Sequence, residues 1–144
     1  MNAVEHNPIE ELLIRADVCE VSRATAWLKS ASFERGVPEV EINRLELCLH
    51  EVLANIIAHG KTPSSSIGLQ LDISRCEATV TVSDSCVACN PLAISPQPIP
   101  KTLAEANPGG LGVLIIRKTS DTQSYRYHEG QNRFTFGVRW KTHE

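Results

Sequence analysis

Two residues with the chemistry of a reactive site lie one helical turn apart in the middle of the chain, Glu51 and Asn55. Residues four apart on a helix point the same way, so the carboxylate and the amide share one face. Their neighbours on that face are Leu47, Ala54 and Ala58, whereas a solvated helix face usually mixes Lys and Glu. In a covered pocket the carboxylate suits a general base, and the amide oxygen suits a hard cation such as Mg²⁺. An ordinary solvent-facing surface is the alternative.

A glycine cluster, Gly109, Gly110 and Gly112, provides a second candidate site. It follows a long loop and opens a predicted helix. Glycines let the backbone approach a ligand closely, and the first N–H groups of a helix favour an anion. The cluster therefore indicates phosphate binding, with a flexible exit from the loop as the alternative. It is not a Walker loop, because no Gly-Lys-Ser/Thr sequence follows it.

A third candidate is Asp84, at the end of a predicted strand and just before Cys86 and Cys89. An Asp at this place is either a turn former or a ligand. The two cysteines form a CxxC motif, which is typical of a redox pair or of half a zinc site. The sequence contains no second CxxC, so two inert thiols are the simpler interpretation, with Cys48 and Cys76 as the remaining candidates for a metal site.

Five strands and three helices must position these residues. The alternation and helical spacing of apolar residues predict strands at 11–15, 66–74, 77–83, 122–129 and 132–141, and helices at 18–35, 38–59 and 109–118. Asp17 and Glu20 have the spacing of a capping box, and Gly130-Gln131 is predicted to form a hairpin turn. The helical spacing predicts an apolar stripe on the second helix that consists of Ile42, Leu45, Leu49, Val52 and Ile56. We expect an α+β fold, a two-layer sandwich whose mixed, mostly antiparallel sheet carries the helices on one face.

Size and composition narrow the class of protein. The chain has 144 residues and a formal net charge of −3, which suits a single domain and argues against non-specific nucleic-acid binding. Its five cysteines, an odd number with no apolar signal segment before them, indicate reduced thiols in the cytoplasm. No apolar run approaches the roughly 20 residues that span a bilayer, so no membrane segment is expected.

In this order and spacing, the three sites resemble the GHKL ATPase superfamily, and specifically its anti-sigma regulatory factor / serine-protein kinase type. The segment from Glu51 to Gly60 is similar to the N-box of that family, and residues 110–117 are similar to its second glycine box. Asp121, the tyrosine-containing strand after it and residues 130–132 resemble the C-terminal hairpin. The resemblance covers nearly the whole chain, and it implies the Bergerat type of ATP-binding fold over residues 1–144.

The resemblance implies a role for each matching residue. Glu51 would be the catalytic base, Asn55 would hold the Mg²⁺ that bridges the ATP phosphates, and the backbone of Gly110, Leu111 and Gly112 would meet those phosphates. The reaction implied is transfer of the γ-phosphoryl group of ATP to a serine or threonine of a protein antagonist.

The same resemblance assigns the adenine amino group to Asp84 and an ATP lid to residues 87–108, where five of the eight prolines lie. One departure falls here, because the family pattern Asp-x-Gly reads Asp84-Ser85-Cys86, and Cys89 stands where the family has an aromatic residue. Cys86 therefore belongs to the predicted cofactor-binding set, and its side chain would crowd an approaching base.

Two functions follow from these observations. The first is an anti-sigma-type kinase that phosphorylates an anti-anti-sigma protein of the STAS type and sequesters a sigma factor, acting as a homodimer. The second is a partner-switching module of the same fold, without catalysis and with weakened or lost nucleotide binding. A detached ATP-binding domain of a histidine kinase is a weaker third, because the sequence has no dimerisation helix pair or substrate histidine segment.

Overall fold

The computed structural model describes residues 8–59, 65–93 and 110–142. In chain order, its strands and helices are β1 (Glu10–Arg15), α1 (Val21–Glu34), α2 (Glu39–His59), β2 (Ser66–Ile73), β3 (Glu77–Asp84), α3 (Gly110–Thr119), β4 (Thr122–His128) and β5 (Gln131–Arg139). Short 3₁₀ turns at Val18–Glu20 and Pro91–Ala93 follow β1 and β3. Of the helices in this part of the chain, none is both long and apolar enough to cross a membrane.

The five strands form one sheet in the order β1-β2-β3-β5-β4. The predicted α+β class is confirmed, but every pairing among these strands is antiparallel, so the expectation of a mixed sheet is wrong. The reason is the route of the chain after α3. β4 occupies the sheet edge, and its hairpin returns β5 beside β3, so that β3 has an antiparallel partner on each side.

The core lies between one face of the sheet and the helices. Buried residues alternate along β2 and β3, as they do in strands with one face covered. In α2, four of the five predicted stripe residues are buried and Ile56 is partly buried against the core. Cys48 and Leu53 are fully buried as well. Helix α2 is therefore buried over a wider part of its circumference than the sequence pattern predicted, because the sheet and the helices α1 and α3 all contact it.

Two predicted turns differ in detail from the structure. Asp17 accepts the Cys19 N–H at 3.0 Å and caps the 3₁₀ turn, while Glu20 accepts the Arg15 N–H at 3.3 Å, so the reciprocal capping box does not form. The β4–β5 turn lies at Glu129 and Gly130, one residue earlier than predicted. Both have positive φ angles, 52° and 76°, as a two-residue hairpin of the I′ type requires.

Candidate functional site

Helix α3 brings Gly112 against the face of α2 that carries Glu51 and Asn55. A Cβ atom added at Gly112 would lie 2.8 Å from Glu51 Oε2 and 3.7 Å from Asn55 Nδ2. A real Cβ contact is almost never shorter than 3.0 Å, so the glycine lets the first turn of α3 approach the carboxylate this closely. The structure thus places together three of the residues that the sequence singled out. Gly110 and Leu111 form the first positions of α3, where backbone N–H groups have no partner within the helix.

The Asn55 Nδ2 atom is buried and has no hydrogen-bond partner among the residues that the structure describes. Leaving a buried amide donor unpaired costs about 1–3 kcal/mol, so most such groups in folded proteins are satisfied. A phosphate oxygen is an acceptor that would satisfy it, and the Oδ1 atom of the same amide is a suitable ligand for Mg²⁺. With the open backbone at Gly112, these residues fit a magnesium–nucleotide phosphate group.

Glu51 also faces solvent on another side. It lines an open surface depression of about 540 Å³ together with Asn43, Glu46, Leu47 and His50. The carboxylate therefore lies between the first turn of α3 and a surface that another molecule can reach. This arrangement lets one group touch a bound phosphate donor and an incoming hydroxyl at the same time.

Asp84 lies at the end of β3 and is 6% exposed. Its Oδ1 atom accepts the Cys86 N–H at 2.9 Å and the Asn132 Nδ2–H at 3.0 Å. Asn132 is the direct cross-strand partner of Asp84 on β5. The side chain predicted to recognise adenine is therefore held in place by two donors of the protein itself.

Asn132 is the central residue of this hydrogen-bond network, and the sequence reasoning gave it no role in the site. Its amide nitrogen also approaches the carbonyls of Cys86 and Val87, each at 3.1 Å. Its amide oxygen accepts the Cys89 N–H at 3.0 Å and the Tyr125 hydroxyl. Asn132 is 5% exposed and lies in phase with the buried aromatic residues of β5. A polar residue at an inward position of a strand was the sequence signal that could have identified it.

The two cysteines of the CxxC motif differ in environment. Burial raises the pKa of the Cys86 thiol, and both the charge of Asp84 and a hydrogen bond to it raise that pKa further. The protonated thiol thus lies beside the carboxylate predicted to recognise a base. Cys89 is exposed, and all five cysteines are unbridged. No cluster of three or more His, Cys, Asp or Glu side chains suited to a metal occurs within the described ranges, so nothing there supports the zinc interpretation.

The predicted lid begins in the described part of the chain, and its residues 94–108 lie outside it. The loop that starts the lid is attached to the body at several points. The Arg117 guanidinium of α3 donates to the Leu92 carbonyl at 2.6 Å, and Asn90 caps the Pro91–Ala93 turn by accepting the Leu92 N–H at 2.9 Å. The start of the segment is therefore tied to the helix that carries the glycine cluster.

Comparison with known proteins agrees with this geometry. The Ser/Thr-protein kinase BtrW of Bordetella bronchiseptica is 33% identical over 93 residues, which span 63% of this chain and 66% of BtrW, just under two thirds of that relative. The RsbU and RsbW domains of a Mycobacterium tuberculosis protein superpose with a TM-score of 0.63 at 13% identity. That match covers 92% of this chain and about a third, 32%, of the other, and it shows the fold. Residues 14–137 match the model of the histidine kinase-like ATPase domain, which confirms the resemblance to the GHKL superfamily. The chain belongs to the histidine kinase-like ATPase domain family.

Proposed function

We propose that the chain is an ATP-dependent protein serine/threonine kinase of the anti-sigma type. One observation carries the proposal, namely that Gly112 at the start of α3 adjoins both Glu51 and Asn55 of α2. A base, an amide with an unpaired donor and a run of helix N-terminal N–H groups are the parts that phosphoryl transfer uses for positioning and charge stabilisation. The membership of the family and the likeness to a named kinase support the same function.

In this proposal Glu51 takes the proton of the attacking hydroxyl, which arrives from the open depression beside it. Asn55 would hold the metal, the backbone N–H groups of residues 110–112 would donate to the phosphates, and Asp84 would accept a hydrogen bond from the amino group of adenine. Bound ATP–Mg²⁺ supplies the phosphoryl group and neutralises the charge that develops during transfer. The chain itself contributes orientation, because each of these groups is fixed on a helix or at the end of a strand.

The proposed substrate is a STAS-type anti-anti-sigma protein, and the proposed second partner is a sigma factor that the chain sequesters. The likeness in fold to the structure of RsbU and RsbW domains supports this proposal. We further propose a homodimeric, cytoplasmic protein that contacts neither DNA nor membrane directly. Residues 1–144 would form one ATP-binding domain, with residues 87–108 as its lid.

A non-catalytic partner-switching module is the second candidate, and the contact between Cys86 and Asp84 favours it. The thiol and two protein N–H groups already surround the carboxylate that adenine would need. On this alternative the fold is retained for binding proteins, while nucleotide affinity is weak or absent.

Calorimetry with ATP and ADP, with and without Mg²⁺, separates the two candidates, since strong nucleotide binding that depends on Mg²⁺ is expected only for the kinase. A transfer assay with [γ-³²P]ATP and the cognate antagonist then tests the base, using Glu51→Gln. Glu46→Gln is the matched control, because Glu46 lies on the same helix and lines the same depression but is paired with Lys29 at 3.4 Å. We expect Glu51→Gln to lower the transfer rate by roughly 10²–10⁴-fold and Glu46→Gln to change it little. Equal rates for Glu51→Gln and the wild type would exclude Glu51 as the base.

A further inference from the structure

Helix α3 has a second point of attachment to α2, at the end remote from the glycine cluster. The Arg44 Nε–H donates to the Thr119 carbonyl at 2.8 Å, and the Arg44 guanidinium pairs with Asp121 at 3.0 Å. Thr119 is the last residue of α3, where carbonyls lack partners within the helix. A cation at this end also stabilises the negative end of the helix dipole. Arg44 therefore caps α3 from the neighbouring helix.

The two attachments are spaced equally on both helices. Arg44 precedes Glu51 by seven residues, and Thr119 follows Gly112 by seven residues. Since Gly112 faces Glu51 and Thr119 faces Arg44, α3 runs antiparallel to α2. Seven residues make about two turns, or roughly 10.5 Å of helix. The match means that fixing Thr119 on Arg44 sets Gly112 level with Glu51.

Between these attachments, α3 packs on α2 through apolar side chains. Val113 and Ile116 of α3 are buried apolar residues, and the hydrophobic attraction that holds them there has no preferred direction. The fully buried Cys48 lies between Arg44 and Glu51 on α2 and interacts with the Ser120 hydroxyl. Hydrogen bonds have a preferred direction, so the contacts of Arg44 with Thr119 and Asp121, together with that of Cys48 with Ser120, oppose sliding of α3 along α2.

The Arg44 attachment is also tied to the sheet. Asp121 accepts the Arg139 N–H of β5 at 2.6 Å, and its own N–H donates to the Gly137 carbonyl at 2.8 Å. Burial acts to raise the pKa of Asp121, but the Arg139 N–H and the Arg44 guanidinium outweigh it and hold that pKa below its ordinary value of 3.8. The pair is therefore charged on both sides at neutral pH, and the end of α3 is held by α2 and β5 together.

We infer that Arg44 is a positioning residue, which sets the axial position of α3 on α2 and thereby the distance from Gly112 to Glu51 and Asn55. Its effect on ATP binding rests on the function proposed above, whereas its effect on the helix position does not. A displacement of about 1 Å in a catalytic site can cost on the order of 10²-fold in rate, so a small slip of α3 has a measurable effect.

The test uses NMR of the nucleotide-free chain with Arg44→Met, Arg44→Lys and the control Lys118→Met. Lys118 is an exposed cation in the same last turn of α3, so its loss changes the charge near the dipole without touching α2. We expect Arg44→Met to shift the Gly112 amide and the Asn55 side-chain NH₂ resonances, Arg44→Lys to shift them less, and Lys118→Met to leave them unchanged. Unshifted resonances in a folded Arg44→Met chain would overturn the inference, and so would equal shifts in Lys118→Met.

Titration of the same variants with ATP–Mg²⁺ supplies the second measurement. Arg44→Met should weaken binding by roughly 10- to 100-fold, with Arg44→Lys intermediate. Urea unfolding checks that each variant is folded, and if Arg44→Met is not, Asp121→Asn and Arg44→Lys carry the comparison. If the wild type binds no nucleotide, the proposed function fails, while the resonance shifts still decide whether Arg44 positions α3.

Discussion

Replacing Gly112 by alanine should separate stability from activity. The added Cβ would lie 2.8 Å from Glu51 Oε2, and ordinary contact begins near 3.4 Å, so the carboxylate must move by at least about 0.6 Å. The atom in the way is the end of a flexible side chain, and the Asn55 amide atoms at 3.7 and 3.8 Å are not disturbed. The backbone can therefore stay in place, and Glu51 turns away.

The two expected effects have opposite signs. Alanine is favoured over glycine in helices by up to about 1 kcal/mol, so the free energy of unfolding should stay level or rise by at most that amount. The transfer rate should fall by roughly 10- to 100-fold, because displacement of a catalytic group by a fraction of an ångström to 1 Å has costs of this order. Few substitutions are expected to raise stability while lowering activity, which makes this a selective test of the site.

Urea unfolding and single-turnover phosphoryl transfer measure the two quantities on the same preparation. Gly68→Ala is the matched control, since among the described residues a Cβ there would meet Ser83 Cβ of β3 at an ordinary 3.8 Å and no atom of α2 or α3 within 4 Å. The control should leave the transfer rate unchanged. Transfer by Gly112→Ala at the wild-type rate would refute the reasoning about Glu51, and a loss of stability above about 2 kcal/mol would show that the backbone, not the side chain, limits the contact.

Three further predictions concern the other contacts. Cys86→Gly removes the thiol from Asp84, so ATP affinity by calorimetry should increase by roughly 5- to 30-fold, or about 1–2 kcal/mol, with a smaller change for GTP; an equal change for both nucleotides would contradict the role of Asp84 in base recognition. Asn132→Ala leaves several buried groups without partners and should lower the free energy of unfolding in urea by roughly 2–4 kcal/mol; a loss below about 1 kcal/mol would show that the network is not needed. The pKa of Asp121 is lowered in the folded state, so its stabilising effect is present above pH 3.8 and is lost as the pH falls through the folded pKa. Asp121→Asn should therefore reduce the loss of unfolding free energy on acidification, by less than about 1 kcal/mol. The same loss in the variant and the wild type would argue against the ion pair.

The sequence was sufficient for the parts of the site that depend on local pattern. Glu51 and Asn55 are related by helical spacing, and Gly112 is recognisable because glycine at a helix start permits close approach. The order of helices and strands follows from periodicity in the same way. These features are set by neighbours within a turn or two along the chain, so a single sequence contains the information.

The remaining features depend on which segments meet in space. Asn132 matters because β5, rather than β4, pairs with β3 and places it opposite Asp84. Arg44 matters because α3 docks antiparallel on α2 and ends beside it. Neither pairing is visible in local spacing, and the wrong expectation of a mixed sheet has the same origin.

The phosphate end and the base end of the proposed nucleotide site differ in whether their polar groups already have hydrogen-bond partners. At the phosphate end, the Asn55 Nδ2 is buried without an acceptor in the described part of the chain, so a ligand that provides one would recover a cost of about 1–3 kcal/mol. At the base end, the Asp84 Oδ1 atom already accepts the Cys86 and Asn132 N–H groups, so a base would have to share this carboxylate with donors of the protein. Affinity should therefore come mainly from the phosphates. On the proposed function, phosphoryl transfer would then be compatible with a relaxed choice of base, which would reconcile a complete Glu51–Asn55 pair with the cysteine at position 86.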